Sequence, residues 1–274
     1  MTSPDEADEL TQARYLIDEG LRLQREADAR FPLARAVELE GEIWEAFQEI
    51  QFVPPIGNLE LMAIGWTTSV LRQTHLIFAN CNSGYQDLLV PNLRVAFEHA
   101  IYVSILADKS VDESTLERLD ISTFKNWEET LNNSAEISEN EIIKFSSGLL
   151  GEVQPQRRRD DDWITKVEKV CQLFDDYELL YRQYRTFSSY VHPNFQSAYP
   201  YIFSHVFNRE ESFSPKPELH PGSFLFSCAL ENNVWALSAL NEVLGTNHLE
   251  QYLEPMAEIA ECDVLLRMKA TNRR

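Results

Sequence analysis

Breakers are few in this chain, and between them apolar residues recur at every third or fourth position, so the α-helix is the element that gathers them onto one face. Only 9 glycines and 12 prolines interrupt 274 residues, and no stretch carries the strict alternation of a half-buried strand. The fold class that follows is all-α: a helical bundle of long core helices with additional N-terminal and peripheral helices.

The punctuation divides that bundle. Residues 1–53 read as N-terminal amphipathic helices packed on it, one from Asp5 to Arg30 and one from Pro32 to Gln51 with Val37, Ile43, Trp44 and Phe47 on one side. Pro54 and Pro55 end the second, because proline lacks an amide donor and restricts the residue before it. Residues 57–268 form the bundle domain. Its first core helix runs from Leu59 to about Ala79, and "NCNSGY" (Asn80–Tyr85) makes a turn. "QDLLVPNLRVAFEHAIYVSILAD" is a second core helix in which Pro91 marks either the true first turn or a kink. A polar insertion of short peripheral helices occupies about 112–155. The strong helical pattern resumes from Asp161 to His192, and a proline-bearing aromatic loop covers Asn194 to Pro221. Gly222–Leu244 and Thr246–Met268 are the closing helices, joined by "LGTN", a glycine C-cap followed by Thr/Asn N-cap chemistry.

Charge narrows the partners. With Asp+Glu 44 against Lys+Arg 24 the net charge is -20, which repels phosphate backbones and anionic membranes at long range. RNA or a nucleotide can bind only at a local site. The best basic cluster, Arg157–Arg159, is followed at once by Asp160–Asp162 and reads as a solvated loop leading into a helix. The acidic N-terminus and the absence of a membrane-length apolar run give the expectation of a cytoplasmic protein with no membrane contact. Cys81, Cys171, Cys228 and Cys262 lie far apart among apolar neighbours and read as reduced small hydrophobes. No cofactor or metal is expected: Glu-x-x-His, His-Glu-x-x-His, a phosphate-cradling glycine loop and G-x-S-x-G all fail to occur. His205 and His220, among Tyr199, Tyr201, Phe203 and Phe207, either line a pocket or pack the loop. Arg267, Lys269, Arg273 and Arg274 read as a helix C-terminus complementing its dipole.

The densest concentration of reactive side chains is "YRQYRTFSSYVHPN", Tyr181–Asn194. As a helix it places Arg185 and His192 about 20° apart around the axis and roughly 10 Å apart along it. Ser188 lies between them, and Tyr181 and Tyr184 extend the stripe. Pro193 ends the helix at His192. Such a set suits phosphoryl chemistry, the histidine moving a proton and the arginine holding phosphate as charge builds. The structural alternative is a C-capping or core histidine. On the apolar helix "NLRVAFEHAIYVSIL", Arg94 and Glu98 are four residues apart and can pair. They are either a buried structural ion pair or a charged set placed beside Arg185 and His192. Arg94 and His99, five apart, are splayed by about 140° and cannot share a face.

An arginine and a histidine separated by four to six residues on a long helix of a compact bundle resembles the HEPN superfamily, which includes metal-independent endoribonucleases of bacterial toxin and abortive-infection (phage-defence) systems. Arg185-x6-His192 carries that likeness, with Thr186 where catalytic members often have Asn, Asp or His. An R-x-x-x-E helix (Arg94, Glu98) and an S-x-x-x-H helix (Ser188, His192) together also resemble a family of uncharacterised bacterial helical proteins, over roughly Leu59 to Leu244. The resemblance implies His192 as general acid/base, Arg185 and Arg94 as phosphate ligands and Glu98 as orienting group, with Ser188, Tyr184 and Tyr181 toward the substrate. It also implies a homodimer and a protein regulator or antitoxin as partner. A rival from another class is a noncatalytic helical binding or regulatory module using the same polar network structurally or for a small anionic ligand.

Overall fold

The computed structural model describes residues 15, 19–20, 22–50, 57–83, 86–108, 166–191 and 222–269. The candidate residue His192, the insertion at 112–155, the Arg157–Asp162 run and the 194–221 loop with His205 and His220 lie outside the described residues. Those described are mostly helical, and the fold is all-α. After helical residues 22–30 come α1 (Leu33–Glu49), α2 (Asn58–Ala79), a short 3-10 turn (Gln86–Leu89), α3 (Val90–Leu106), α4 (Val167–Cys171), α5 (Tyr177–Val191), α6 (Gly222–Leu244) and α7 (Glu250–Ala260). The only extended pairing among them is an isolated bridge between Phe174 and Met268.

The chain divides into two compact units, residues 1–107 with 182–266 and residues 108–181 with 267–274. In the first unit α6 is central, packing against α2, α3 and α7. Of its residues 225–240 all but Ser227 are buried, as a helix wrapped by neighbours on every side requires. Its ends are built for that place. Gly222 sits at φ 49, where a side chain is strained, and a Cβ there would collide with the Asp28 carboxylate. That carboxylate accepts the Ser223 amide at 2.6 Å, placing an anion at the positive end of the helix dipole. At the far end Gly245 turns left-handed (φ 61), with Thr246 N–H donating to the Asn241 carbonyl at 3.0 Å and Gly245 N–H to Glu242 at 3.4 Å, the paired bonds of a Schellman cap.

The amphipathic α1 buries Ala36, Leu39, Ile43 and Phe47 at the expected helical spacing, together with one acid, Glu40. It lies against α2, α6 and α7. Pro91 occupies the first turn of α3, where its missing donor costs nothing. The aromatic centre of this unit joins α3, α5 and α6: Phe97 meets Phe187 edge-on at 5.7 Å and Trp235 at 6.4 Å, and Phe187 reaches Phe224 at 6.2 Å.

Three expected elements differ from the structure. The closing helix stops at Ala260, not Met268, because Glu261 turns left-handed at φ 56 and its successor's amide, Cys262 N–H, folds back to the Ala257 carbonyl at 3.0 Å. The following residues stay ordered by other means: Trp235 Nε1 donates to the Asp263 carbonyl at 3.1 Å. Arg267 and Lys269 therefore do not cap a helix. In the second unit Asp175 N–H donates to the Arg267 carbonyl at 3.0 Å and Lys269 N–H to Leu173 at 2.8 Å, and Lys269 Nζ lies 5.6 Å from the Tyr177 ring centroid. The same pairing explains the third difference. Residues 172–176 leave the helix to bond there, so the single helix expected up to His192 is split into α4 and α5.

Candidate functional site

Arg94 stands on the second turn of α3, half-buried beside apolar Leu93 and Ala96, which are fully enclosed. Its Nε donates to Glu98 Oε1 at 2.9 Å, the i,i+4 pair expected from spacing. The rest of the guanidinium leaves its own helix. Nη2 donates to the Tyr184 hydroxyl of α5 at 3.1 Å, and Cζ stands 5.1 Å from the Tyr184 ring centroid. One cation thus ties the two helices on which the sequence placed candidate site residues, through a charge-assisted hydrogen bond and a cation–π contact. The pair keeps side-chain exposures of 23% and 29%, so solvent reaches it.

Helix α5 positions the other candidates unequally. Phe187 is fully buried and orients the Arg182–Val191 part of the helix against the aromatic centre. Four residues after Tyr184, the Ser188 hydroxyl is enclosed with no hydrogen-bond partner among the described residues. Arg185 is exposed, and among the described residues it has no ion pair. Tyr181 belongs to the second unit and stacks on Tyr177 with ring centroids 5.8 Å apart. Thr186 turns its hydroxyl back to the Arg182 carbonyl at 3.0 Å. The structure therefore assembles Arg94, Glu98 and Tyr184 and places Ser188 and Arg185 on the following turn. His99 goes elsewhere, its Nδ1 donating to the Val95 carbonyl at 2.9 Å, and burial pushes its imidazole below the usual histidine range.

Two polar arrangements escaped the sequence reading. Between α5 and α6, Gln183 Nε2 donates to Glu231 Oε2 at 2.6 Å. Burial pushes the Glu231 carboxyl up to about 7 against the opposing effect of that bond. Gln183 Oε1 and both polar atoms of Asn232 are buried without hydrogen-bond partners among the described residues, while Asn233 Oδ1 accepts the Thr74 hydroxyl at 2.7 Å. Between α1 and α2, both carboxylate oxygens of Glu40 approach His75 Nδ1, at 3.1 and 3.2 Å. Neither pairing leaves a signal within one helix. The signal that existed was negative: Glu40 and Glu231 each fall in register with apolar core positions, where an acid needs a partner.

The cysteines carry no disulfide; Cys171 and Cys228 are buried, and burial pushes the thiols of Cys171 and Cys262 up to about 12. Among the described residues no group of three His, Cys, Asp or Glu side chains could hold a metal, and no helix is long and apolar enough to cross a membrane.

Fold and site together define an all-α protein with a half-exposed arginine-glutamate-tyrosine cluster where α3 meets α5. The chain belongs to the DUF5677 family, described as a family of unknown function, whose model matches residues 60–210, more than half of its 274 residues. That span contains Arg94, Glu98, Tyr184, Arg185, Ser188 and His192. No curated protein and no solved structure matches the chain.

Proposed function

We propose that the α3/α5 cluster is the phosphate-handling part of a HEPN-like, metal-independent endoribonuclease of a bacterial toxin or phage-defence system. The observation that supports it is the Arg94 guanidinium bonded at once to Glu98 and Tyr184, which brings the two motif helices together at a place solvent can reach. In this reading Glu98 holds Arg94 in orientation, and Arg94 with the exposed Arg185 receives a scissile phosphate and stabilises its growing charge. Tyr184 lies beside the strand, whereas the Ser188 hydroxyl, expected toward the substrate, is enclosed. His192, one residue beyond the end of α5, moves the proton to or from the ribose oxygen or leaving group. Its part rests on sequence spacing. A homodimer would supply a second copy of the strip, and a regulator or antitoxin protein would restrain it.

A noncatalytic binding or regulatory module is the second reading, and it has its own support. The Thr186 hydroxyl is spent on its own helix backbone, and Glu98 already neutralises Arg94. The two are separated by expressing wild type and His192→Ala in cells and comparing growth and RNA integrity. The ribonuclease reading expects growth arrest and RNA fragments with wild type alone. Identical behaviour, with the variant folded, leaves the binding module.

A further inference from the structure

The Glu40–His75 pair has the construction of an activated imidazole rather than a surface ion pair. Glu40 is only 3% exposed, and its two oxygens share one proton donor, His75 Nδ1, at 3.1 and 3.2 Å. Holding the proton on Nδ1 leaves the lone pair on Nε2, which has no hydrogen-bond partner among the described residues. The His75 side chain remains 41% exposed, so the imidazole is not enclosed along with the acid. Trp44, one turn after Glu40 on α1, stacks on the imidazole at 4.8 Å with planes 14° apart, fixing the ring against rotation. Arg72, one turn before His75 on α2, is exposed and has no ion pair among the described residues. It is a local cation in a strongly acidic protein.

We propose that His75 is a nucleophilic site that accepts a phosphoryl group at Nε2 from a small anionic donor, with Glu40 as proton acceptor behind the ring and Arg72 as the cation that steadies the donor. In the step, the Nε2 lone pair forms the N–P bond while the bond from phosphorus to the leaving group breaks, the leaving group departing with that electron pair. The Nδ1 proton passes to Glu40, so the product is an Nε2-phosphoimidazole without added ring charge beside a neutral carboxyl. Burial pushes the Glu40 carboxyl above its ordinary range against the opposing pull of His75, which makes it a better proton acceptor than an exposed glutamate. The site is independent of the α3/α5 cluster and stands whether or not that cluster cuts RNA.

Phosphoramidate, whose leaving group is ammonia, tests the proposal on the full chain, with labelled positions mapped by mass spectrometry at alkaline pH. His248 is exposed on the loop before α7 and serves as the internal reference. His75 is expected to label about tenfold or more faster than His248, Glu40→Gln to bring it down to the His248 rate, and Arg72→Ala to slow it with phosphoramidate but not with the uncharged reagent diethyl pyrocarbonate. Labelling of wild-type His75 no faster than His248 overturns the proposal and leaves a structural ion pair. That ratio is read on wild type, so it decides even if Glu40→Gln fails to fold.

Discussion

Helix α5 carries two polar contacts of opposite character. Tyr184 receives Arg94 where the ion pair keeps about a quarter of its surface, whereas Gln183, one residue earlier, meets a Glu231 that is 8% exposed. A rotation of about 100° along the helix separates a contact open to solvent from one sealed in the core. The difference is one of desolvation. At the Arg94 cluster a cation, an anion and a phenol satisfy one another and water covers the rest. At Glu231 burial outweighs its single hydrogen bond, so the proton is retained toward neutral pH. An open pair can exchange partners with a substrate, while a sealed one fixes how α5 and α6 register.

The comparison breaks most readily at what both contacts share, the aromatic centre. Phe97→Ala removes the ring that Phe187 and Trp235 pack on and is expected to cost about 3–5 kcal/mol in chemical denaturation; a loss under 1 kcal/mol would show that α5 is held by something else. Glu231→Gln sharpens the contrast through pH. The folded state holds its proton up to about 7 against an ordinary value of 4.5, so it binds more protons than the unfolded chain in that window and stability falls as pH rises through it. The variant escapes the loss. Denaturation should show Glu231→Gln more stable than wild type by up to ~3 kcal/mol at pH 8 and nearly equal at pH 4.5, and a gap independent of pH would contradict the sealed-acid account.

The open contact should respond more weakly. Tyr184→Phe keeps the ring and removes the hydroxyl, an expected loss of about 1 kcal/mol. A double-mutant cycle with Arg94→Ala should return a coupling of roughly 0.5–1 kcal/mol; zero coupling would dissolve the link between α3 and α5. Smallest of all, Arg185→Ala should change stability by less than about 0.5 kcal/mol, leaving it free to report on ligand alone.

What could be read from sequence divides along the same line. Asn58–Ala79 and Gly222–Leu244 were legible nearly to the residue, since breakers and periodicity are local. So was Arg94 with Glu98, four apart on one helix. The start of α5 and the end of α7 were not, because residues 173–175 and 267–269 bond to each other across the chain, a pairing that no local periodicity records. Glu40 with His75, 35 residues apart, and Gln183 with Glu231, 48 apart, depend on which helices become neighbours. The Arg94–Tyr184 contact is of this kind too. The charged pair on one helix and the polar stripe on the other could each be named in advance, but their meeting is a property of the packed bundle.

The central claim is that the open cluster on α3 and α5 handles phosphate while the sealed one does not. It is tested by incubating labelled single-stranded RNA with purified wild type, Arg185→Ala, Arg94→Ala and Glu231→Gln in excess EDTA, with melting curves run alongside. Cleavage by wild type and Glu231→Gln, lost in both arginine variants while they stay folded, is the predicted result; intact RNA in every tube, or cleavage that survives both arginine substitutions, would contradict it.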